Sequence, residues 1–118
     1  MDTYPQRHGR TTIAPDVLVT IARLSALGVP GVARLSPVAG GVDQFFKGGM
    51  SEGVRISVKG LAVGVELYLV TLPETNMREV ARNVQAEVTR SIQDIVGMEV
   101  LHVNVHIEDV DYAGGKAY

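Results

Sequence analysis

Two histidines near the C-terminal end of the chain are the first residues whose type and spacing could support chemistry. His102 and His106 alternate with apolar residues in G-M-E-V-L-H-V-N-V-H-I-E-D-V, residues 97–110. This period of two predicts a β-strand. One face of the strand would carry Leu101, Val103, Val105 and Ile107, and the other His102, Asn104, His106 and Glu108.

The spacing of these histidines argues against a metal centre. Four strand residues at ~3.3 Å each place His102 and His106 ~13 Å apart, whereas zinc needs at least three protein ligands at ~2 Å. His106 and Glu108 are nearer, at ~6.6 Å, but no second His, Asp or Glu cluster of suitable spacing occurs. We predict no metal ligands and no cofactor, and interpret the polar face as a solvated or partner-facing surface.

Other motifs of catalysis or ligand binding are incomplete. Ser36, Ser51 and Ser57 lack a nucleophile-elbow signature, and Lys47 precedes the glycines that it would follow in a phosphate loop. The segment 28–31, G-V-P-G, has the spacing of the KH-domain clamp, but its apolar centre is typical of a helix end and turn. We predict that the protein is not an enzyme and has no catalytic residues.

Composition narrows the class of protein. The chain has 118 residues, 46% of them hydrophobic, a net charge of -2 and no cysteine, which together predict one domain in a reducing compartment. No run of ~20 apolar residues and no apolar leader occurs, so we expect a cytoplasmic protein without direct membrane insertion. Neither charge sign forms a block, which argues against nucleic acid as a partner.

Two helices are indicated by capping residues and apolar periodicity. The first is predicted over 15–27, from Pro15 to the stop at Gly28 and Pro30. Its apolar positions are Val17, Leu18, Ile21, Ala22 and Leu24. A short strand is also predicted over 11–13, just before this helix.

The second helix is predicted from Asn76, which would cap it with Glu79 in capping-box fashion, to about residue 96. Its apolar stripe is Met77, Val80, Ala81, Val84, Val88, Ile92 and Ile95. The spacing of Arg90 and Asp94 predicts a weak ion pair on the polar side.

A β-hairpin over 53–71 has the most specific local signal. Gly60-Leu61 suits a type II′ turn, which fixes a register with Lys59 opposite Ala62. The same register sets Arg55 opposite Glu66 on one face and aligns apolar residues on the other, as Val54 with Leu67, Ile56 with Val65 and Val58 with Val63.

The element order predicts the fold class and the domain bounds. We expect an α+β two-layer sandwich, with a mainly antiparallel sheet and both long helices packed on one face. The domain would span 11–112, between flexible tails at 1–10 and 113–118. Within it lies a glycine-bounded insertion at 39–50, where Phe45 and Phe46 are predicted to fold back onto the core.

Several segments together carry a family resemblance. In order they are T-T-I-A-P-D-V-L, G-V-P-G-V-A-R-L, G-V-R-I-S-V, V-E-L-Y-L-V, N-M-R-E-V-A-R-N-V-Q and V-N-V-H-I-E-D-V. Their order and spacing resemble the alkaline shock, or envelope stress response, protein family of Gram-positive bacteria (YloU-like proteins). The resemblance implies a cytoplasmic protein without known catalytic residues, linked to cell-envelope homeostasis. In some members it implies attachment to the membrane through a small integral-membrane partner.

Two hypotheses of function follow. The first is a scaffold or interaction module that forms a homo-oligomer or docks a protein partner through its open sheet face and edges. The alternative is a small-ligand or nucleic-acid binding module that uses the same face and the 40–49 loop. The candidate interface residues are Arg55, Glu66, Tyr68, His102, Asn104 and His106, with Phe45 and Phe46 next in line.

Overall fold

The computed structural model describes residues 11–37, 50–51 and 53–112. Its helices are α1 (Pro15–Leu27) and α2 (Met77–Ser91), the latter continued by a π-helical turn (Ile92–Val96). Its strands are β1 (Val32–Leu35), β2 (Met50–Ser51), β3 (Val54–Lys59), β4 (Ala62–Thr71) and β5 (Glu99–Val110). Both tails and the insertion with Phe45 and Phe46 lie outside the described residues.

Strand β4 is the centre of the sheet. On one side it pairs with β5 along its whole length, in parallel orientation. On the other side it pairs antiparallel with β3 and then with β1, and β2 adds to the outside of β3. The sheet is therefore mainly antiparallel, and the α+β prediction is confirmed.

The hairpin register is confirmed at every position. Lys59 pairs with Ala62, Arg55 with Glu66 and Val54 with Leu67. Gly60 has φ 62°, and Glu74 is the one described non-glycine residue with positive φ. Leu61 therefore has negative φ, which fits a type II′ turn and excludes type I′.

Both helices cover the same face of the sheet and close a single hydrophobic core. Fully buried side chains come from α1 (Leu18, Ala22 and Ala26), from α2 (Val84 and Val88) and from the strands (Val54, Ile56, Val63, Val65, Leu67 and Leu69). Two other residues of the predicted α1 stripe, Val17 and Leu24, are 46% and 58% exposed. The helix meets the sheet through Leu18, Ala22 and Ala26 instead, which lie at successive i, i+4 positions.

The predicted N-cap of α2 is confirmed, because Asn76 Oδ1 accepts a hydrogen bond from the Glu79 amide at 3.0 Å. Two minor predictions were wrong. Residues 11–13 form no strand, and Arg90 pairs at 2.6 Å with Glu87 rather than with Asp94. Glu87 lies one turn before Arg90 within regular α-helix, whereas Asp94 lies in the π-helical turn, where the spacing of side chains changes.

Two irregularities in β5 change the predicted faces of that strand. The register with β4 shifts between Val63 and Gly64 and again between Leu69 and Val70, so Leu101 and Glu108 are extra residues. Leu101 is consequently 50% exposed, and Val100 packs against the core in its place. The prediction that Leu101 faces the core was wrong, because a β-bulge inverts the alternation that precedes it.

Strand β5 also lies at the edge of the sheet, where among the described residues it pairs with β4 alone. Unpaired backbone groups on such an edge are a template for aggregation. Here the Gln85 side chain of α2 donates a hydrogen bond from Nε2 to the Val103 carbonyl at 3.1 Å. The helix thus occupies one backbone acceptor of the edge strand.

Candidate interaction site on the open sheet face

The sheet face opposite the helices, called here the open face, gathers most of the predicted interface residues. The parallel register sets Gly64 beside His102, Glu66 beside Asn104 and Tyr68 beside His106. Alternation along both strands turns these residues away from the core, because the residues between them are the buried or half-buried Val65, Leu67, Val103 and Val105. Arg55 of β3 lies on the other side of Glu66.

Glu66 is the centre of a group of contacting side chains, the Glu66 cluster, which consists of Glu66, Tyr68, His102, Asn104 and His106. Its Oε1 accepts a hydrogen bond from His106 Nε2 at 2.7 Å, and its Oε2 accepts one from Asn104 Nδ2 at 2.7 Å. His102 Nε2 lies 3.6 Å from the same Oε2. One carboxylate therefore contacts side chains from three positions of β5, two of them through hydrogen bonds.

An aromatic stack extends the cluster. The rings of Tyr68 and His106 have centroids 4.7 Å apart and planes inclined by 13°. The imidazole is thus fixed on its edge by Glu66 and on its face by Tyr68, which limits the rotamers open to it. The result is a flat polar and aromatic surface built by neighbouring strands.

Gly64 explains how His102 reaches Glu66. A Cβ atom at residue 64 would lie 2.5 Å from His102 Cε1 and 2.7 Å from its Nε2, both closer than a Cβ approaches non-bonded heavy atoms. The missing side chain lets the imidazole lie across β4. Sequence reasoning did not identify Gly64, although a glycine inside a strong strand pattern is a signal of close approach.

The electrostatics of the cluster favour the ionised form of Glu66. Burial raises the pKa of this carboxyl group, but hydrogen bonds from His106 and Asn104 and the charges of His106 and His102 together lower it below its usual value of 4.5. Glu66 is therefore an anion at neutral pH. Its hydrogen bonds are those of an acceptor that fixes other side chains.

The cluster differs from the arrangement that the strand spacing predicted. Although His102 and His106 stand four residues apart, both imidazoles turn toward one carboxylate. Within the described ranges, no group of three or more His, Cys, Asp or Glu side chains is arranged to hold a metal ion. That no metal or cofactor is bound stays a prediction.

A second ion pair crosses the open face beyond the cluster. Arg34 of β1 contacts Asp111, just after β5, with Nη1 and Oδ2 2.7 Å apart. These strands flank β4, so the pair spans Val70, which is only 4% exposed. Sequence reasoning missed this contact, because it joins positions 77 residues apart.

No helix in the described part of the chain combines the length and the apolar character needed to cross a bilayer. The fold itself is shared with solved structures of MamM CTD. One zinc form matches with a TM-score of 0.57 and 17% identity, over 86% of this chain and 90% of that one. Another variant matches with a TM-score of 0.56 and 18% identity, over 80% and 95%. The likeness defines the class as this α+β fold and nothing finer.

Sequence comparison identifies the family. The model of the alkaline shock protein 23 family, described as having a cell envelope-related function, matches residues 3–112. The chain therefore belongs to the alkaline shock protein 23 family, which confirms the resemblance seen in the sequence.

Two Bacillus subtilis (strain 168) proteins of similar length are relatives. Uncharacterized protein YqhY is 25% identical over 114 residues, which cover 95% of this chain and 84% of YqhY. Uncharacterized protein YloU is 26% identical over 108 residues, which cover 88% of this chain and 90% of YloU. Neither relative brings a known activity.

Proposed function

We propose that this protein is a non-enzymatic interaction module of the envelope stress response type, which acts as a scaffold in cell-envelope homeostasis. The Glu66 cluster carries the proposal. Its hydrogen bonds and ring stack order side chains of two strands on a face that the helices leave uncovered. Ordering side chains in advance lowers the entropic cost of binding a macromolecular surface.

The cluster suits protein recognition better than catalysis. Glu66 accepts hydrogen bonds through both carboxylate oxygens, so each oxygen already has a partner within the chain. Tyr68 adds a large, half-buried ring with a polar tip, the kind of side chain enriched at interface hot spots. We therefore propose docking, either of another copy or of a protein partner at the membrane, from the cytoplasmic side.

The alternative, a small-ligand or nucleic-acid module, depends on the 40–49 loop, which lies outside the described residues. Two surface grooves of the described part are elsewhere. One lies between the helices at Leu24 and Ala86, and the other at the hairpin end of the sandwich, near Leu61 and Met98. The open face thus supports a macromolecular partner more directly.

The test compares two open-face variants with two helix-layer controls. Tyr68→Ala and Arg55→Glu should weaken association in light scattering and in pull-down from membrane fractions, by more than any fall in their thermal midpoints explains. Leu24→Ala and Arg82→Glu remove an exposed apolar side chain and reverse an exposed charge on the helices. If the open-face variants associate as strongly as these controls, the interface lies elsewhere.

A further inference from the structure

The open face carries opposite charges on its two sides. At one end Lys59 of β3, Ala62 of β4 and Glu99 of β5 lie in register. At the other end Arg34 of β1, Val70 of β4 and Asp109 of β5 lie in register. In both end rows a basic residue stands on the β3 and β1 side, an apolar residue on the central strand, and an acidic residue on β5.

All four charged residues of these rows are exposed. Glu99 shares the open face with Ala62 because it precedes the first bulge, and Asp109 shares it with Val70 because it follows the second. The bulges therefore set which acidic side chains of β5 face outward here.

From this charge pattern we propose that the occupant of the open face is a second copy of the chain, related by a two-fold axis parallel to β4. This inference rests on the proposed docking function. Such an axis turns the face over sideways, so β5 of one copy lies over β3 and β1 of the other. Lys59 then meets the Glu99 of the other copy, and Arg34, which also pairs with Asp111 of its own chain at 2.7 Å, lies opposite the Asp109 of the other copy.

The other face-to-face two-fold arrangement is disfavoured by the same charges. An axis across the strands exchanges the two ends but keeps the sides, so Lys59 meets Arg34 and Glu99 meets Asp109. Juxtaposed like charges destabilise an interface. Glu66 lies near the axis in either case and is turned toward β5 by its hydrogen bonds, so it does not distinguish them.

The geometry of packed sheets suits this pairing. Sheets in face-to-face contact lie about 10 Å apart with strands aligned to within about 30°, a gap that long basic and acidic side chains bridge from both sides. The axis brings Tyr68 near the Tyr68 of the other copy, at the centre. Pairing through the β5 edge is less suitable, because Gln85 already occupies the Val103 carbonyl.

Mixing two charge-reversal variants tests the arrangement. Lys59→Glu alone and Glu99→Lys alone each create two like-charge contacts per dimer, and we expect each to raise the dissociation constant about tenfold. An equimolar mixture forms a mixed dimer in which both contacts join opposite charges. By sedimentation velocity at low salt, the mixture should associate with the parent dissociation constant to within about twofold. The double variant Lys59→Glu/Glu99→Lys should regain the same affinity.

The control variants are Arg82→Glu and Glu87→Lys on α2. Their mixture should have the same dissociation constant as either variant alone. High salt should reduce the differences among all open-face variants, since these charges are exposed. If the mixture associates no more tightly than either variant alone, the two-fold arrangement is wrong. If Tyr68→Ala still weakens association in that case, the open face remains the interface. If the parent protein stays monomeric, the occupant of the open face is not a second copy, and the face is left to a different protein.

Discussion

Glu66 Oε1 and His106 Nε2 lie 2.7 Å apart, and they join strands whose residues are 40 positions apart in sequence. The contact exists because β4 and β5 are parallel neighbours in a register that sets Tyr68 beside His106. It links the fold directly to the proposed interaction surface.

Removal of the Glu66 charge should reduce stability in a pH-dependent way. The pKa of Glu66 is lower in the folded chain than its usual value of 4.5, so ionisation stabilises the fold above that pH, and the contribution is lost as the pH falls through the folded-state pKa. Urea unfolding of the parent and of Glu66→Gln should therefore differ more at pH 7 than at about pH 3. Glu108→Gln, which removes an exposed carboxylate of β5, is the control; an equal gap at both pH values for Glu66→Gln would contradict the linkage.

Gly64→Ala should displace His102, because the new Cβ would lie 2.5 Å from its ring. We expect a cost of about 1 kcal/mol in unfolding free energy. In a His102→Ala background the same change should cost less, since only the Ser57 Oγ, 3.1 Å from the new Cβ, would remain in tight contact. A double-mutant cycle by chemical denaturation measures this coupling, and additive effects would show that the ring does not depend on Gly64.

Gln85→Ala should expose the edge of the sheet. The Val103 carbonyl would lose the hydrogen bond that it accepts at 3.1 Å, at a cost of about 1 kcal/mol. An uncovered acceptor on an edge strand should also raise the rate of aggregation. Denaturation and turbidity measurements compare this variant with Gln93→Ala, which removes an exposed side chain of the π-helical turn; equal behaviour of the two would contradict an edge-covering role.

Two glycines of the hairpin should respond differently to alanine. Gly60 has φ 62° with nothing within 4 Å of an added Cβ, whereas Gly53 has φ 79° and the added Cβ would lie 2.6 Å from Leu35 Cβ. We expect Gly60→Ala to cost about 1 kcal/mol and Gly53→Ala about 3 kcal/mol or more, because only the second adds a clash to the backbone strain. The unfolding midpoints of the two variants measure these costs. Similar costs would indicate that Leu35, at the end of β1, moves away from the new Cβ at residue 53.

Local signals were sufficient to predict the hairpin, both helices and their side of the sheet. In 53–71 the turn chemistry of Gly60 and the alternation of apolar residues gave the same register, and a slip of one residue would have exposed the apolar face. The cap at Asn76 was likewise visible, because capping depends on residues three positions apart.

The Glu66 cluster was only partly predictable. Its members were identified as residues of one polar face, but their contacts depend on the parallel register of β4 and β5. The bulges at Leu101 and Glu108 adjust that register, and no local pattern in the sequence marks them. Along a single strand His102 and His106 are ~13 Å apart, but Glu66 on the neighbouring strand draws both side chains toward its carboxylate.

The order of strands also bears on how the protein is made. Strand β4 meets its long partner only after the 27 residues from Leu72 to Met98, which include α2, have been added. During synthesis the hairpin 53–71 can form early from neighbouring residues, whereas β5 can pair only after α2 has been made, since its contacts are distant in sequence. Three of the five members of the Glu66 cluster belong to β5. The proposed interaction surface is therefore incomplete in a nascent chain until β5 has been synthesised and placed, so unfinished molecules would not engage a partner through this face.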